Sequence, residues 1–404
     1  MTALQAPLAR YAARFHAAAG DSHHVGSPLG AWLLAALCAP AARGRVADDL
    51  AEALGVDLAT ARTAAEALLT DPHPAVLSAA ALWLRDPPTP AVADWIAALP
   101  STVTTGELPG QAALDAWAER KTLGLIRKMP ATVDPTTLLL LATALATKVS
   151  WVRPFQLAPA ARLGSATPWA AAVSEVLVTP DDAEGHGAYV ATVPGIGEVA
   201  VHTGVATEGL RVTSVIAPAD TPAADVLAAA HDLATRPRAA RTSLFDLPLG
   251  DAPLWTITEE RVRTTAPDGR EERVTAVLPA WSATTEHDLD RPELGLPAAA
   301  AAASEALGNR GPHSAVQSAM ARYSRVGFEA AAVSAMMRAA GMPMVRDGVR
   351  RTAELRFAHP YAVVAVADRP WAHGWQPPEA TGTPWLGLPV FSAWVATPDD
   401  AAGQ

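Results

Sequence analysis

The sequence predicts an α+β fold, because helical patterns fill its first third and short β patterns dominate from Leu138 onward, without βαβ alternation. The chain has 404 residues, of which 50% are hydrophobic and 18% are charged. A chain of this size and composition buries a large core. We therefore expect one large domain, or two tightly joined ones.

Local start and stop signals divide the first third into helices. Ser27 is a typical N-cap, with Pro28 at the first helical position, and Gly55 closes a later helix. The predicted helices cover residues 4–19, 28–39, 45–54, 58–69, 91–99 and 111–122, and a strand is predicted at 75–84.

Strand patterns follow in the middle of the chain. A turn at Asp268-Gly269 lies between the last two of them. The predicted strands cover residues 189–193, 199–202, 210–217, 255–262 and 273–278, and helices are predicted at 224–234 and 298–303.

Charge and cysteine content exclude several classes of protein. The formal net charge is -10 and basic runs are absent, which argues against a nucleic-acid partner. The single cysteine, Cys38, excludes an internal disulfide, and its apolar helical run favours a core position. No apolar run reaches transmembrane length, and the run at 31–39 begins too far from Met1 for a signal peptide. We expect a cytoplasmic protein with no membrane partner.

No constellation in the sequence predicts catalysis. The segment from Gly195 to Ala200 fits a loose dinucleotide pattern but leads into a strand-like run, so a turn is the better interpretation. His23-His24 has no second ligand pair at metal spacing. We therefore expect no enzyme activity, no metal and no cofactor.

The stretch from Val316 to Tyr361 resembles a loop held between two strands. Residues 316–326 suit an extended segment, and Leu355 to Tyr361 followed by A-V-V-A-V-A predicts a buried strand. Between them, Gly327 is followed by Phe328 and a run of mostly small side chains. Such a segment fits helix, coil or strand at little steric cost.

This order resembles the hinge, reactive-centre loop and C-terminal signature of serpins, with R-V-G-F-E-A-A-A as the hinge and F-A-H-P-Y as the signature. The resemblance covers nearly the whole chain. Other matching segments are Ser27-Pro28-Leu29-Gly30, Trp117 to Gly124, the set Lys148, Trp151, Pro154 and Phe155, and Leu278-Pro279-Ala280-Trp281.

The resemblance implies a single serpin domain over residues 1–404, with three β-sheets, about nine helices and an exposed reactive loop near 328–353. It implies inhibition of a serine or cysteine protease, which acylates itself on the loop before the loop inserts into the central sheet. The inhibitor is expected to be a monomer without catalytic groups. The implied hinge is Gly327, Phe328, Glu329, Ala330, Ala331 and Ala332, and the implied shutter and breach are Ser27, Thr143, Gln317 and Trp151.

Two points within the resemblance stay open. Counting from the hinge as the family does puts the reactive bond at Gly341-Met342, whereas Arg346, Arg350 or Arg351 would offer a trypsin-like site. Phe328 stands where the family has Thr or Ser, and a bulky side chain at the first inserting position favours a non-inhibitory alternative, as carrier, chaperone or plain substrate. Thr143 and Gln317 also replace the usual Asn and His that latch the sheet.

Overall fold

A computed structural model describes residues 4–181, 183–236, 241–309, 311–328, 346–371 and 382–402. These ranges contain nine α-helices: α1 Gln5–Ala19, α2 Pro28–Ala36, α3 Gly44–Leu54, α4 Leu58–Thr70, α5 Pro90–Ala97, α6 Gln111–Lys121, α7 Pro168–Ala172, α8 Ala223–Thr235 and α9 Leu296–Leu307. The described part also has three short 3-10 helices, at Ala160–Leu163, Leu244–Asp246 and Pro292–Leu294.

The predicted capping signals are confirmed. The Ser27 Oγ accepts a hydrogen bond from the Gly30 N–H, and Pro28 is the first residue of α2. Gly55 ends α3 in the left-handed conformation, with φ 72°. Helix α2 ends at Ala36, so the predicted extension to Ala39 is wrong.

The strands occupy most of the rest of the described chain. They are β1 His24–Gly26, β2 Leu77–Leu84, β3 Thr104–Glu107, β4 Leu139–Ala146, β5 Val149–Ser150, β6 Gln156–Pro159, β7 Glu175–Val178, β8 His186–Val193, β9 Gly197–Val205, β10 Leu210–Ile216, β11 Arg241–Thr242, β12 Gly250–Asp251, β13 Trp255–Thr264, β14 Arg270–Leu278, β15 Trp281–Asp288, β16 Val316–Tyr323, β17 Gly327–Phe328, β18 Arg346–Arg356, β19 Tyr361–Ala367 and β20 Pro389–Val395.

Two large sheets account for most of these strands. A seven-stranded antiparallel sheet has the order β1-β20-β19-β10-β9-β8-β11. Every residue of β19 and β20 is buried, because helix α8 packs on one face and the main core on the other. A six-stranded sheet has the order β12-β13-β18-β14-β7-β6.

The third sheet is divided. Its strands form separate ladders, β3-β2-β4 on one side, β15-β16 on the other, and β17-β5 at one end. Among the described residues no ladder joins β4 to β16. The α+β arrangement agrees with the predicted fold class, and the third sheet consists of two halves that face each other across an interruption.

Helix α2 lies beneath this interruption. Its side chains are almost all buried, and they belong to the main core cluster together with Leu145 of β4 and Ala319 of β16. Cys38, just beyond α2, is also buried, and burial raises the pKa of its thiol to about 12. The predicted core position of Cys38 is confirmed.

Candidate functional site

The interruption between β4 and β16 is a cleft with a hydrogen-bonding edge on each side. Both strands leave one edge without a ladder partner among the described residues. A cavity of ≈ 70 Å³ lies in the middle of the cleft, against the N-terminal turn of α2 and under helix α6. We name the space between β4 and β16 the cleft.

The floor of the cleft is a network around Ser27. The Ser27 N–H donates to Gln317 Oε1 at 2.9 Å, and Gln317 Nε2 donates to the Ser27 carbonyl at 2.9 Å. The Ser27 Oγ donates to the Val390 carbonyl at 2.8 Å. On the other side, Thr143 Oγ1 donates to the Gly30 carbonyl at 3.1 Å.

The three residues predicted as the shutter therefore do meet at the cleft, although not as a direct latch. Gln317 and Thr143 share no hydrogen bond in the described structure; each ties its own strand to the first turn of α2. Gly30 lies so close that an added Cβ would stand 3.3 Å from Gln317 Nε2. At this level of the cleft, the first turn of α2 links the two halves, and no direct bond between Gln317 and Thr143 does so.

The upper end of the cleft is closed by the first residues of the hinge. Strand β17 pairs antiparallel with β5, with Gly327 opposite Ser150 and Phe328 opposite Val149. An added Cβ on Gly327 would collide with the carbonyl oxygen of Val149. Glycine is therefore needed at this position because two backbones approach each other closely.

Trp151 holds the turn that leads into β17. Its backbone N–H donates to the Val326 carbonyl at 3.1 Å, and its Nε1 donates to the Ser324 carbonyl at 3.0 Å. The Phe155 N–H donates to the Arg325 carbonyl at 2.9 Å. Because the Gly327 carbonyl accepts from the N–H and Oγ of Ser324, four successive carbonyls of this turn have donors.

Aromatic rings pack against one another at this end of the cleft. The ring of Trp151 lies 5.1 Å from that of Tyr323 and 6.1 Å from that of Phe155, centroid to centroid. Trp281 stacks on Tyr323 at 6.0 Å. Burial raises the pKa of Tyr323, so the phenol stays neutral. Trp151 thus lies beside the first hinge residues, in a packed aromatic cluster that also holds the turn before β17.

The reactive loop is only partly covered by the described residues. Gly341, Met342, Glu329, Ala330, Ala331 and Ala332 lie outside them. The far end of the expected loop is corrected, because residues 346–353 belong to strand β18 instead of a loop.

Strand β18 is an interior strand. It pairs antiparallel with β13, from Trp255↔Leu355 to Thr264↔Arg346, and parallel with β14, from Arg270↔Val349 to Val277↔Arg356. Arg350 forms ion pairs with Glu271 and Glu260 at 3.0 and 3.2 Å. The paired residues Gly327 and Phe328 precede residues 329–345, and strand β18 follows them.

This placement argues against the trypsin-like alternative. Proteolytic cuts occur in exposed loops with free backbone, whereas Arg350 and Arg351 lie in a ladder bonded on both sides. Arg346 is the first residue of the strand and is paired with Thr264. The sequence did not predict this strand because the run from Arg346 to Arg351 is charged. The acidic pair Glu259 and Glu260, on the predicted strand 255–262, could have indicated it, since these carboxylates pair with Arg351 and Arg350.

The described residues contain no group of three or more His, Cys, Asp or Glu side chains arranged to hold a metal ion. Of the helices in those same ranges, none combines the length and the hydropathy that crossing a bilayer requires.

We expect Gln317→Ala to loosen the floor of the cleft. The substitution removes both hydrogen bonds to Ser27 and leaves the Ser27 N–H without its acceptor, which costs about 1–3 kcal/mol of unfolding free energy. Urea unfolding measures the loss. Gln156→Ala, on the exposed edge strand β6, is the matched control and should change stability little. Equal midpoints for the two variants would contradict the role given to Gln317.

These features define an α+β protein whose main sheet is interrupted above a helix N-terminus and whose hinge is docked at one end of the interruption. It is the serpin fold, as solved structures confirm. Tengpin, a thermophilic serpin in its native state, matches with a TM-score of 0.65 and 12% identity over 98% of this chain and 95% of that chain. Human thyroxine-binding globulin with bound thyroxine matches at 0.62 and 13% over 98% of both chains. Serpin48 of the insect Tenebrio molitor matches at 0.57 and 13%, again over 98% of both.

Sequence comparison alone does not reach this result. No protein-family model matches the chain, and no curated protein matches it. The likeness is one of fold, carried by backbone arrangement at low identity.

Proposed function

We propose that the protein inhibits a serine or cysteine protease as a suicide substrate, with the cleft receiving residues that follow Phe328. The observation that carries this proposal is the pairing of β17 with β5 at the upper end of the cleft. Two residues of the hinge already occupy the position of an added strand. Below them, both flanking strands offer unpaired edges among the described residues.

The register of the docked hinge supports insertion down the cleft. Counting seven residues from Gly327 reaches Ser334; counting seven back from its partner Ser150 reaches Thr143. The same count from Ser324, which bonds Gly327 across the turn, reaches Gln317. An added strand in this register would bring Ser334 between the two shutter residues, where its hydroxyl has hydrogen-bonding partners and the cavity of ≈ 70 Å³ provides space.

Strand β18 supplies the other requirement. A cut between the hinge and β18 would free the hinge side while the far side stays anchored between β13 and β14. A protease acylated on the freed side would travel with the inserting strand. Strand addition of this kind is the physics that serpin loops illustrate in general.

The non-inhibitory alternative has one observation in its favour, the identity of Phe328. Overpacking at an inserting position costs about 1–3 kcal/mol, and insertion must outrun deacylation. In addition, one of the solved structures with a similar fold is thyroxine-binding globulin with bound thyroxine. Against this stands the backbone of Phe328, which is already paired with Val149.

Incubation with trypsin-, elastase- and subtilisin-like proteases tests the proposal. We expect complexes that survive denaturing electrophoresis with an elastase- or subtilisin-like enzyme, and a cut at Gly341-Met342 by mass spectrometry. The same protease with its active-site serine chemically blocked is the control and should give no complex. Cleavage without any stable complex would establish the non-inhibitory alternative, and a cut solely after Arg350 or Arg351 would overturn the Gly341 assignment.

A further inference from the structure

A chain of buried side chains runs from the seven-stranded sheet to the end of helix α1. His16 Nε2 lies 2.6 Å from Ser392 Oγ, and His16 Nδ1 lies 2.9 Å from His24 Nε2. His24 Nδ1 lies 2.8 Å from the Ser22 carbonyl. His16 is 3% exposed, His24 1% and Ser392 2%, so water does not substitute for these bonds. We name Ser392, His16, His24 and the Ser22 carbonyl the histidine chain.

Hydrogen-bond chemistry fixes the direction of the neutral chain. A carbonyl only accepts, so His24 Nδ1 carries its proton and His24 Nε2 accepts. His16 Nδ1 must then donate to His24, and His16 Nε2 must accept from the Ser392 hydroxyl. One added proton is accommodated only if the bond between His16 and Ser392 reverses, so that His16 Nε2 donates to the Ser392 Oγ. A second proton would leave the N–H of His16 Nδ1 facing the N–H of His24 Nε2, and the bond between the two rings would be lost.

Two further imidazoles lie against this chain. The ring of His231, on α8, is 5.9 Å from that of His16, and neither of its buried nitrogens has a hydrogen-bond partner in the described residues. The ring of His287, on β15, is 5.9 Å from that of His24. The other charged or titratable groups nearby are His23 next to His24, and Glu286, Asp288 and Arg291, which line the cavity beside His24 and His287. Among the described residues, no carboxylate is hydrogen-bonded to any of these four rings.

The histidine chain is coupled to the cleft through strand β1. His287 Nε2 donates to the Val25 carbonyl at 2.7 Å, and the Val25 N–H donates to Thr285 Oγ1 at 3.2 Å. In the β15–β16 ladder, His287 is directly opposite Gln317. Strand β1 leads directly into Ser27, whose backbone N–H and carbonyl both hydrogen-bond to the Gln317 side chain. A displacement of β1 or of His287 would therefore displace Ser27 or Gln317, which form the floor of the cleft.

We propose that the histidine chain, with His231 and His287, is an acid-sensitive latch: when neutral it holds β1 and the β15–β16 half of the main sheet in place, and when protonated it releases that half. The latch gives the proposed inhibitor a control on cleft opening, and in that sense it rests on the proposed function. Its physical part, loosening of β15 and β16 in acid, is testable without any protease.

Burial sets the pH window. It holds the pKa of His16 well below the usual range, with a further contribution from the neighbouring histidines, and it lowers the pKa of His231 to about 4. Burial also lowers the pKa values of His24 and His287. Below the ordinary histidine pKa of about 6.5, the unfolded chain takes up protons that the folded chain refuses. The contribution of these histidines to the free energy of unfolding is therefore fully present above this pH. It is lost progressively as the pH falls from about 6.5 toward the pKa values of the folded state.

Two measurements on the full chain test the latch. The urea midpoint should be constant above about pH 7 and should fall steadily between about pH 6.5 and 5. Over the same interval, hydrogen exchange of peptides from 281–288 and 316–323, corrected for intrinsic rates, should accelerate about tenfold or more. A midpoint that does not change down to about pH 5, or uniform acceleration over all strands, would overturn the proposal.

Matched variants assign the effect to the cluster. His231→Phe fills similar volume without a titratable group and should flatten the pH dependence, and His16→Gln should do so more strongly. His313→Gln, at an exposed histidine that pairs with Asp290, should leave the dependence as in the wild type. Equal flattening by His231→Phe and His313→Gln would refute the latch. If His16→Gln does not fold, the comparison of His231→Phe with His313→Gln is sufficient. A failure to trap any protease would refute the proposed function but would not change the outcome of these stability measurements.

Discussion

A cut at Gly341-Met342 is expected to raise the melting temperature by about 10 °C, because the freed hinge gains partners along both edges of the cleft. Roughly ten new backbone hydrogen bonds at about 1 kcal/mol net each give on the order of 10 kcal/mol. For a chain of 404 residues, this corresponds to about 1 °C per kcal/mol. Calorimetry of the intact and the cut protein measures the difference.

The outcome separates insertion from plain cleavage. If the cut protein melts at the same temperature as the intact protein, the hinge has stayed outside the cleft and the protein is a protease substrate. The site of the cut must first be mapped, since a cut elsewhere on the surface frees no strand. Clipping the N-terminal residues before Leu4 provides a comparison in which the hinge is not freed.

Local chemistry made part of this site readable in the sequence. Ser27 was recognisable as an N-cap because Pro28 follows it, and the structure puts the same serine at the floor of the cleft. Trp151 was identified by resemblance, and it holds the turn before β17. A local signal such as the N-cap depends only on neighbouring residues, so a single sequence is enough to detect it.

Other parts depend on contacts between distant segments and leave little trace in a sequence. The division of the main sheet is the absence of a ladder between β4 and β16, and no pattern within either strand predicts it. Strand β18 is charged along its first half because Glu259, Glu260 and Glu271 on neighbouring strands neutralise its arginines. His16 and His231 lie in apolar helical runs, where each appears isolated until α1 and α8 pack together.

The register of the docked hinge gives a sharper test of insertion through Ser334→Arg. Ser334 lies outside the described residues, but the count from Gly327 would bring it between Thr143 and Gln317. The shutter network contains no carboxylate, and an unpaired charge there costs several kcal/mol. We expect the trapped fraction to fall about tenfold or more, since each 1.4 kcal/mol added to the insertion barrier is a factor of ten. The first cut should keep its rate because Gly341 is seven residues away.

Glu329→Arg is the matched control for this substitution. In the same register Glu329 would stand opposite Lys148, which is exposed, so the new guanidinium would stay in water. The like charges opposite each other would cost only about 0.2–1 kcal/mol there, and trapping should therefore fall far less than in Ser334→Arg. The cut Ser334→Arg protein should also lack the rise in melting temperature, because its hinge stops above the shutter. Normal trapping by Ser334→Arg would mean that the hinge never passes Thr143 and Gln317, and loss of trapping in both variants would mean that the register is wrong. Only selective loss in Ser334→Arg agrees with a strand that descends the cleft from β17.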